Sequence, residues 1–401
     1  MENKILINWG GFDADNFGDL LFPFIIEHYY GSSFKKILHC SPTGEPNNWL
    51  DSKSTNTILD SICRDEEYCL LIGGGNIVSF SRATAIQYLI SELHIKYVYP
   101  SFSILPLLLF KKYNIHYAFN SVGVRNIDNK YKKILNFVIC NSTYVSCRDV
   151  NSRDNLLDCG IIKPINVSVD SAFQIDKVFS KQYLTDKYYT DIVYKYNLNK
   201  KSKKIVFHIN NKYLKNDIGY LINFITLITK TYDIHPIFIA LGPCHNDNSI
   251  LQYLPESIKA ISTIIDRPTS IVDIIAILAY ADYYIGSSMH GGLVSLVYGN
   301  KIAYVVDEKL SNNYKFTGFL SKLNITSCIC NSWKDSYINY KKVGIDLFKG
   351  TLPNVINIKD TIDDNFSNIK YSFEKIQSKP NSNFIDPDEL LTEIEKLYEL
   401  Q

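Results

Sequence analysis

At 401 residues the chain exceeds the ~250–300 at which a single hydrophobic core stops growing, so two domains are expected. Its 46% hydrophobic and 21% charged residues are those of a soluble globular protein, and 42 Lys plus Arg against 41 Asp plus Glu leave no global field to draw in nucleic acid; anion binding must come from local arrangement. The 9 cysteines are odd in number and include no C-x-x-C pair, which argues against a disulfide framework and a zinc ribbon and for a reducing, cytoplasmic location.

The first half reads as alternating strands and helices. A strand over residues 4–9 opens the chain, with an apolar run too short for a signal peptide. A loop over 10–19 carries Asp13, Asp15, Asn16 and Asp19, and a helix is expected over 20–29 with Asp19 able to cap it. A buried strand over 68–72 ends at Gly73-Gly74-Gly75-Asn76. Further strands are expected over 115–120 and 144–146, with helices over 85–93 and 130–138. The apolar stretch 97–110 is well short of the ~20 residues that span a bilayer. It reads as a buried helix, the alternative being an apolar face beside Lys111 and Lys112 that touches a membrane surface. Residues 167–172, with Asp170-Ser171, close this half, and the alternation implies a parallel sheet with its functional loops along one edge.

Residues 180–204, rich in lysine and tyrosine, read as the crossing between domains or as an exposed polar helix. A second series then begins: strand 204–209, helix 218–232, strand 236–241, loop 242–247 and helix 271–280. A strand ending at Ile285 turns through Gly286-Ser287-Ser288 into a helix bearing His290, Gly291 and Gly292, and a strand over 301–306 follows. Residues 332–367 carry no clear pattern, whereas 386–401 form an amphipathic helix suited to packing back across the domain junction. The division expected is therefore 1–180, 181–385 and 386–401, an α/β chain of two Rossmann-type domains facing across a cleft.

Several loops at strand ends carry candidate chemistry. In open α/β sheets ligands bind at the carboxyl ends of strands, and helix-start N–H groups favour anions, so the Ser287–Gly292 turn is a candidate site as well as a plain strand–helix turn. The triple glycine 73–75 permits close backbone approach or an anion nest; it is not G-x-G-x-x-G, and a structural turn explains it equally. Arg148 is placed for a bidentate grip on carboxylate or phosphate, or for a surface pair with Asp149. Arg125 and Lys315 are further cations at comparable positions. His208 and His245 also lie at strand ends, where a structural role is the plainer reading.

Taken together these stretches resemble the polysaccharide pyruvyltransferase family. The likeness rests on Asn16-Phe17-Gly18-Asp19, Gly73-Gly74-Gly75-Asn76, Cys147-Arg148-Asp149 with Asp170-Ser171-Ala172-Phe173, and Ser287-Ser288-Met289-His290-Gly291-Gly292 through Tyr298-Gly299. Ser288 stands where many members carry arginine; a sub-group similar to the enzymes that decorate xanthan and succinoglycan has Ser-Ser-x-His instead. Tyr314-Lys315-Phe316 looks like that sub-group's Tyr-x-Phe-Lys region with the lysine shifted.

The resemblance implies a GT-B-like fold and transfer of the three-carbon unit of phosphoenolpyruvate to two hydroxyls of one sugar, as a ketal. The implied acceptor is a glycan or lipid-linked repeat unit at the inner membrane face, with no cofactor and no metal. His290 is then the general acid/base and Asp19 orients an acceptor hydroxyl. Arg148, Ser287, Ser288, Gly291, Arg125 and Lys315 fall to the donor, and Asn16, Asp15, Gly74, Gly75 and Asn76 to the acceptor. Two other readings stay open: a GT-B glycosyltransferase using a nucleotide sugar, and an inactive glycan-binding relative.

Overall fold

The apolar runs that read as strands pair into two parallel sheets. A computed structural model describes residues 1–44, 47–63, 65–80, 98–198, 202–214, 217–249, 251, 254–307, 309, 315–350, 355–376 and 396. The first sheet contains β1 (Lys4–Trp9), β2 (Lys36–Cys40), β3 (Glu67–Gly73), β4 (His116–Val122), β5 (Tyr144–Cys147) and β6 (Asn166–Val167), in the order β2-β1-β3-β4-β5-β6. The second contains β7 (Lys203–His208), β8 (Ile234–Ile239), β9 (Thr263–Ile265), β10 (Tyr283–Gly286), β11 (Lys301–Val305) and β12 (Ile329–Cys330), in the order β12-β11-β10-β7-β8-β9. Parallel strands are covered by helices on both faces, which is why β3 is buried along all but its first residue.

Strand order decides where a ligand can sit. In the first sheet the order reverses between β1 and β3, in the second between β7 and β10. At such a reversal the connections leave in opposite directions and open a crevice beyond the carboxyl ends of the strands. The two crevices face one another. One apolar cluster runs through the junction, joining Phe12, Phe17 and Phe22 of the first lobe to Leu241, Met289 and Leu293 of the second.

Polar ties reinforce that contact. Asp51 of the first lobe accepts the N–H groups of Ile271 (2.7 Å) and Val272 (3.0 Å) and the Ser270 hydroxyl (2.7 Å), capping the Ile271–Tyr280 helix of the second. The Phe17 N–H donates to the Leu241 carbonyl at 2.8 Å, and that of Leu50 to Thr269 at 2.8 Å.

Some expectations shift. The crossing is helical: Lys181–Lys187, then one wide turn over Tyr188–Ile192, then Val193–Lys195. The expected helix at 85–93 lies outside the described residues, as does 386–401 apart from Lys396. Among the described residues an element that returns to the first lobe lies upstream, beginning in the stretch that carried no clear pattern. The Val355–Glu374 helix lays Phe366 against Tyr29 in a stacked pair with ring centroids 3.8 Å apart, and Asn365 donates to Asn120 at 2.8 Å. The apolar stretch near Leu107 forms the Val98–Tyr113 helix, with Phe102, Ile104 and Leu105 and the three leucines 107–109 in the first lobe's core. Among the described residues no helix is long and apolar enough to cross a membrane.

Candidate active site

The cleft between the two crevices encloses about 330 Å³ and takes its lining from both lobes. The first lobe contributes Asn16 and Asp19 from the loop after β1, Gly75 and Asn76 after β3, Arg125 after β4 and Arg148 after β5. The second contributes His208 at the end of β7, His245 and Asp247 after β8, Ser287, Ser288 and His290 after β10, and Lys315 at the start of the Lys315–Ser321 helix.

Asp19 is a correction. It begins a short 3-10 turn, but its side chain caps nothing there; it turns into the cleft and accepts from Asn16 Nδ2 at 2.7 Å. Gly75, in the left-handed region at φ +78°, makes the room, because a Cβ there would lie 2.7 Å from Asp19 Oδ1. Burial pushes the Asp19 carboxyl up to about 6, with His290, the Asn16 hydrogen bond and Arg148 partly offsetting it.

His290 is the second residue of the Met289–Val297 helix and reaches across to the first lobe. Its ring stands edge-on to Phe22 with centroids 5.6 Å apart, and Nε2 is 3.5 Å from Asp170 Oδ2. Arg148 Nη1 approaches the same oxygen at 3.6 Å, while its Nε lies 3.5 Å from Asp149 Oδ2. These are ion-pair separations rather than hydrogen bonds: Arg148 Nε, Asp170 Oδ2 and His290 Nε2 are buried with no hydrogen-bond partner among the described residues. Burial drives the Asp170 carboxyl up, but His290, Arg148 and the Ala172 N–H (3.1 Å) outweigh it and hold Asp170 below the usual carboxylate range. Gly123 lets the guanidinium in, since a Cβ there would sit 2.8 Å from Arg148 Nη2 and 2.5 Å from Asn76 Oδ1.

The two serines of the turn separate. Ser288 Oγ caps its helix, accepting the Gly291 N–H at 3.2 Å, whereas Ser287 Oγ lies 3.3 Å from His208 Nδ1. His208 Nε2 in turn meets Asp247 Oδ2 at 2.7 Å. Burial, then the Lys315 charge, depress the basicity of His245, with His208 and Arg125 adding to the effect and Asp247 opposing it.

Not every expected residue reaches the cleft. Asp15 is tied to the neighbouring loop, accepting the Asn48 N–H at 2.8 Å. Gly74 packs over Phe22, and Gly291 over Leu241 and Tyr284, so their value lies in close packing. Asp13 holds Thr43 through its N–H (2.9 Å) and hydroxyl (2.7 Å). His208 and His245, for which a structural role was the plainer reading, both line the cleft. Asp247, Asn210, Lys212 and Tyr213 were missed. The available signal was position, since all four follow β7 or β8, beside the reversal of strand order.

A family model described as polysaccharide pyruvyl transferase matches residues 16–299. Comparison with curated protein sequences returns no match. Among solved structures the chain is similar to a UDP-GlcNAc 2-epimerase from Neisseria meningitidis bound to UDP-GlcNAc, at TM-score 0.54 and 11% identity over 93% of this chain and 100% of that one. A Staphylococcus aureus MnaA–UDP co-structure aligns at TM-score 0.56 and 12% identity over 96% and 100%. A UDP-N-acetylglucosamine 2-epimerase from Rickettsia bellii aligns at 0.57 and 12% over 93% and 98%. At these identities the likeness is one of fold: a GT-B-like α/β pair of lobes about a central cleft.

Proposed function

The chain belongs to the polysaccharide pyruvyl transferase family, and on that premise we propose that it transfers the enolpyruvyl unit of phosphoenolpyruvate to two hydroxyls of one sugar residue, in a surface polysaccharide or its lipid-linked repeat unit. The observation that carries this reading is the convergence of cations and two proton-carrying groups from both lobes. Arg125, Arg148 and Lys315 line the same cleft as Asp19 and His290.

The donor is anionic through its phosphate and carboxylate, and the chain as a whole has a net charge of only +1, so local cations must hold it. Arg148 is already faced by Asp149 and Asp170, and it shares the binding with Arg125, Lys315 and Ser287, which line the same cleft. His290 delivers a proton to the donor's methylene carbon, leaving an oxocarbenium-like centre at the carbon bearing phosphate. One sugar hydroxyl adds there, phosphate leaves, and the second hydroxyl closes the ring. Of the two protons lost by the hydroxyls, one balances that placed on carbon and the other leaves with phosphate. Asp19, raised to about 6, orients an acceptor hydroxyl and takes up its proton. Asn16, Gly75 and Asn76 line the acceptor side.

The test is incubation with phosphoenolpyruvate and a panel of galactose-, mannose- and N-acetylmannosamine-containing acceptors. Phosphate release matched by an acceptor mass gain of one ketal-linked pyruvate is expected, and His290→Ala should lower turnover ~10²–10⁴-fold. Turnover of a nucleotide sugar with no use of phosphoenolpyruvate would replace this reading by glycosyl transfer. Acceptor binding with no turnover of either donor would make the chain a glycan-binding relative.

A further inference from the structure

The mechanism above uses Ser287 only as a hydrogen-bonding wall, and leaves His208 and Asp247 without a part. These three side chains form a chain across the strand-order reversal of the second sheet. Gly286 and His208 are register partners in the β10–β7 pair, and a Cβ on Gly286 would lie 2.6 Å from the His208 carbonyl oxygen. The missing side chain brings the two strand ends close enough for Ser287 Oγ to lie 3.3 Å from His208 Nδ1. On the far side, Asp247 Oδ2 receives the Gly242 N–H at 2.7 Å and meets His208 Nε2 at 2.7 Å. His208 is 4% and Asp247 2% exposed.

We propose that Asp247 and His208 are positioning residues that set the direction of the Ser287 hydroxyl, and that capture of an anionic donor group by Ser287 is tied to uptake of a proton at His208. This rests on the reading of the cleft as a site for an anionic donor. A carboxylate is an acceptor, so the Asp247 contact assigns the proton to Nε2 and leaves Nδ1 to face Ser287. With His208 neutral, Ser287 donates to Nδ1 and offers the cleft only lone pairs, which repel an anion. With His208 protonated, Nδ1–H donates to Ser287 Oγ, and the hydroxyl hydrogen turns to the cleft, where it donates to a phosphate oxygen. Ser288 Oγ is instead engaged by the Gly291 N–H of its own helix. Among the described residues His245 is electrostatically coupled to His208, and Lys212, Cys244, His290, Lys315, Arg125 and Asp19 line the same cleft.

The experiment is nitrogen NMR of histidine-labelled protein, the His208 ring being assigned by its loss in His208→Gln, with inorganic phosphate as the probe. Neutral His208 is expected as the Nε2–H tautomer, and saturating phosphate should move its titration midpoint up by about one pH unit, a tenfold coupling. Ser287→Ala should lose at least half of that shift while Ser287→Thr keeps it, and Asp247→Asn should lower the share of the Nε2–H tautomer. A neutral Nδ1–H tautomer, no response to phosphate in the parent protein, or an equal response in Ser287→Ala overturns the proposal. Ketal formation is assayed separately: its absence beside an intact, Ser287-dependent shift overturns the donor assignment and leaves the relay standing.

Discussion

Gly18 and His290 fit together with no room for a side chain: a Cβ on Gly18 would lie 2.0 Å from His290 Nδ1 and 2.6 Å from Cγ. Gly18 has an ordinary helical backbone at φ −63°, so its requirement is space rather than conformation. The N-terminal loop is thereby moulded to the imidazole of the opposite lobe. Gly18→Ala should push the ring out of place, and displacement of a reacting group by ~1 Å costs roughly 10²-fold in rate. The expected result is a loss in kcat of that order with an unfolding midpoint close to that of the parent protein, measured by urea titration beside the phosphate-release assay.

Arg148 is buried between two carboxylates. Removing it leaves the buried carboxylates of Asp149 and Asp170 without their shared cation, and breaking a buried ion pair by deleting one partner costs ~3–5 kcal/mol. Arg148→Met should lower stability to urea by about that amount. The additional change Asp170→Asn should restore part of it, because it removes one of the stranded charges.

The raised Asp19 carboxyl gives a pH signature in stability. Its folded value, about 6, lies above the ordinary aspartate value of 3.8. Its contribution to folding is therefore fully present below about pH 4 and is lost as pH rises through about 6. The neutral isostere Asp19→Asn escapes that loss. The variant should be more stable than the parent by up to about 3 kcal/mol at pH 7–8, the gap closing towards pH 4. Urea midpoints at several pH values read this directly, and the phosphate-release assay should show the matching loss of turnover.

Much of the frame was legible from local pattern. Helices Ile218–Tyr232 and Ile271–Tyr280 fall where they were expected, because each pairs a long apolar stretch with a clear stop. β2, β9 and β12 were not seen; they are five, three and two residues long, and their burial is mixed rather than continuous. The site was legible in its residue types but not in its pairings. Arg148 read as a grip for the donor, while Asp170, 22 positions on, could not be known to face it. Asp247 carried only the signal of its position after β8, since its meaning comes from His208, 39 positions away. Distances along the chain carry no information about which strand ends the sheet order will bring together.

Asp51 was likewise invisible in sequence. It caps a helix of the other lobe through two N–H groups and a hydroxyl, and loss of an N-cap carboxylate costs ~0.5–2 kcal/mol. Asp51→Ala should lower stability, read from urea titration, by that amount. Asp51→Asn, which keeps one acceptor oxygen, should recover part of the loss.

The Val355–Glu374 helix sets the order in which this protein can be finished on the ribosome. The first sheet to leave the exit tunnel must wait for Asn365 and Phe366, made more than three hundred residues after Tyr29 and Tyr30, before the face at Asn120 and Tyr144 is closed. Until then those aromatic rings and polar groups remain uncovered in the nascent chain, a state prone to misassembly. The earlier-made sheet is sealed by a later-made helix, and a chain cut short before residue 365 would show its damage in the earlier lobe.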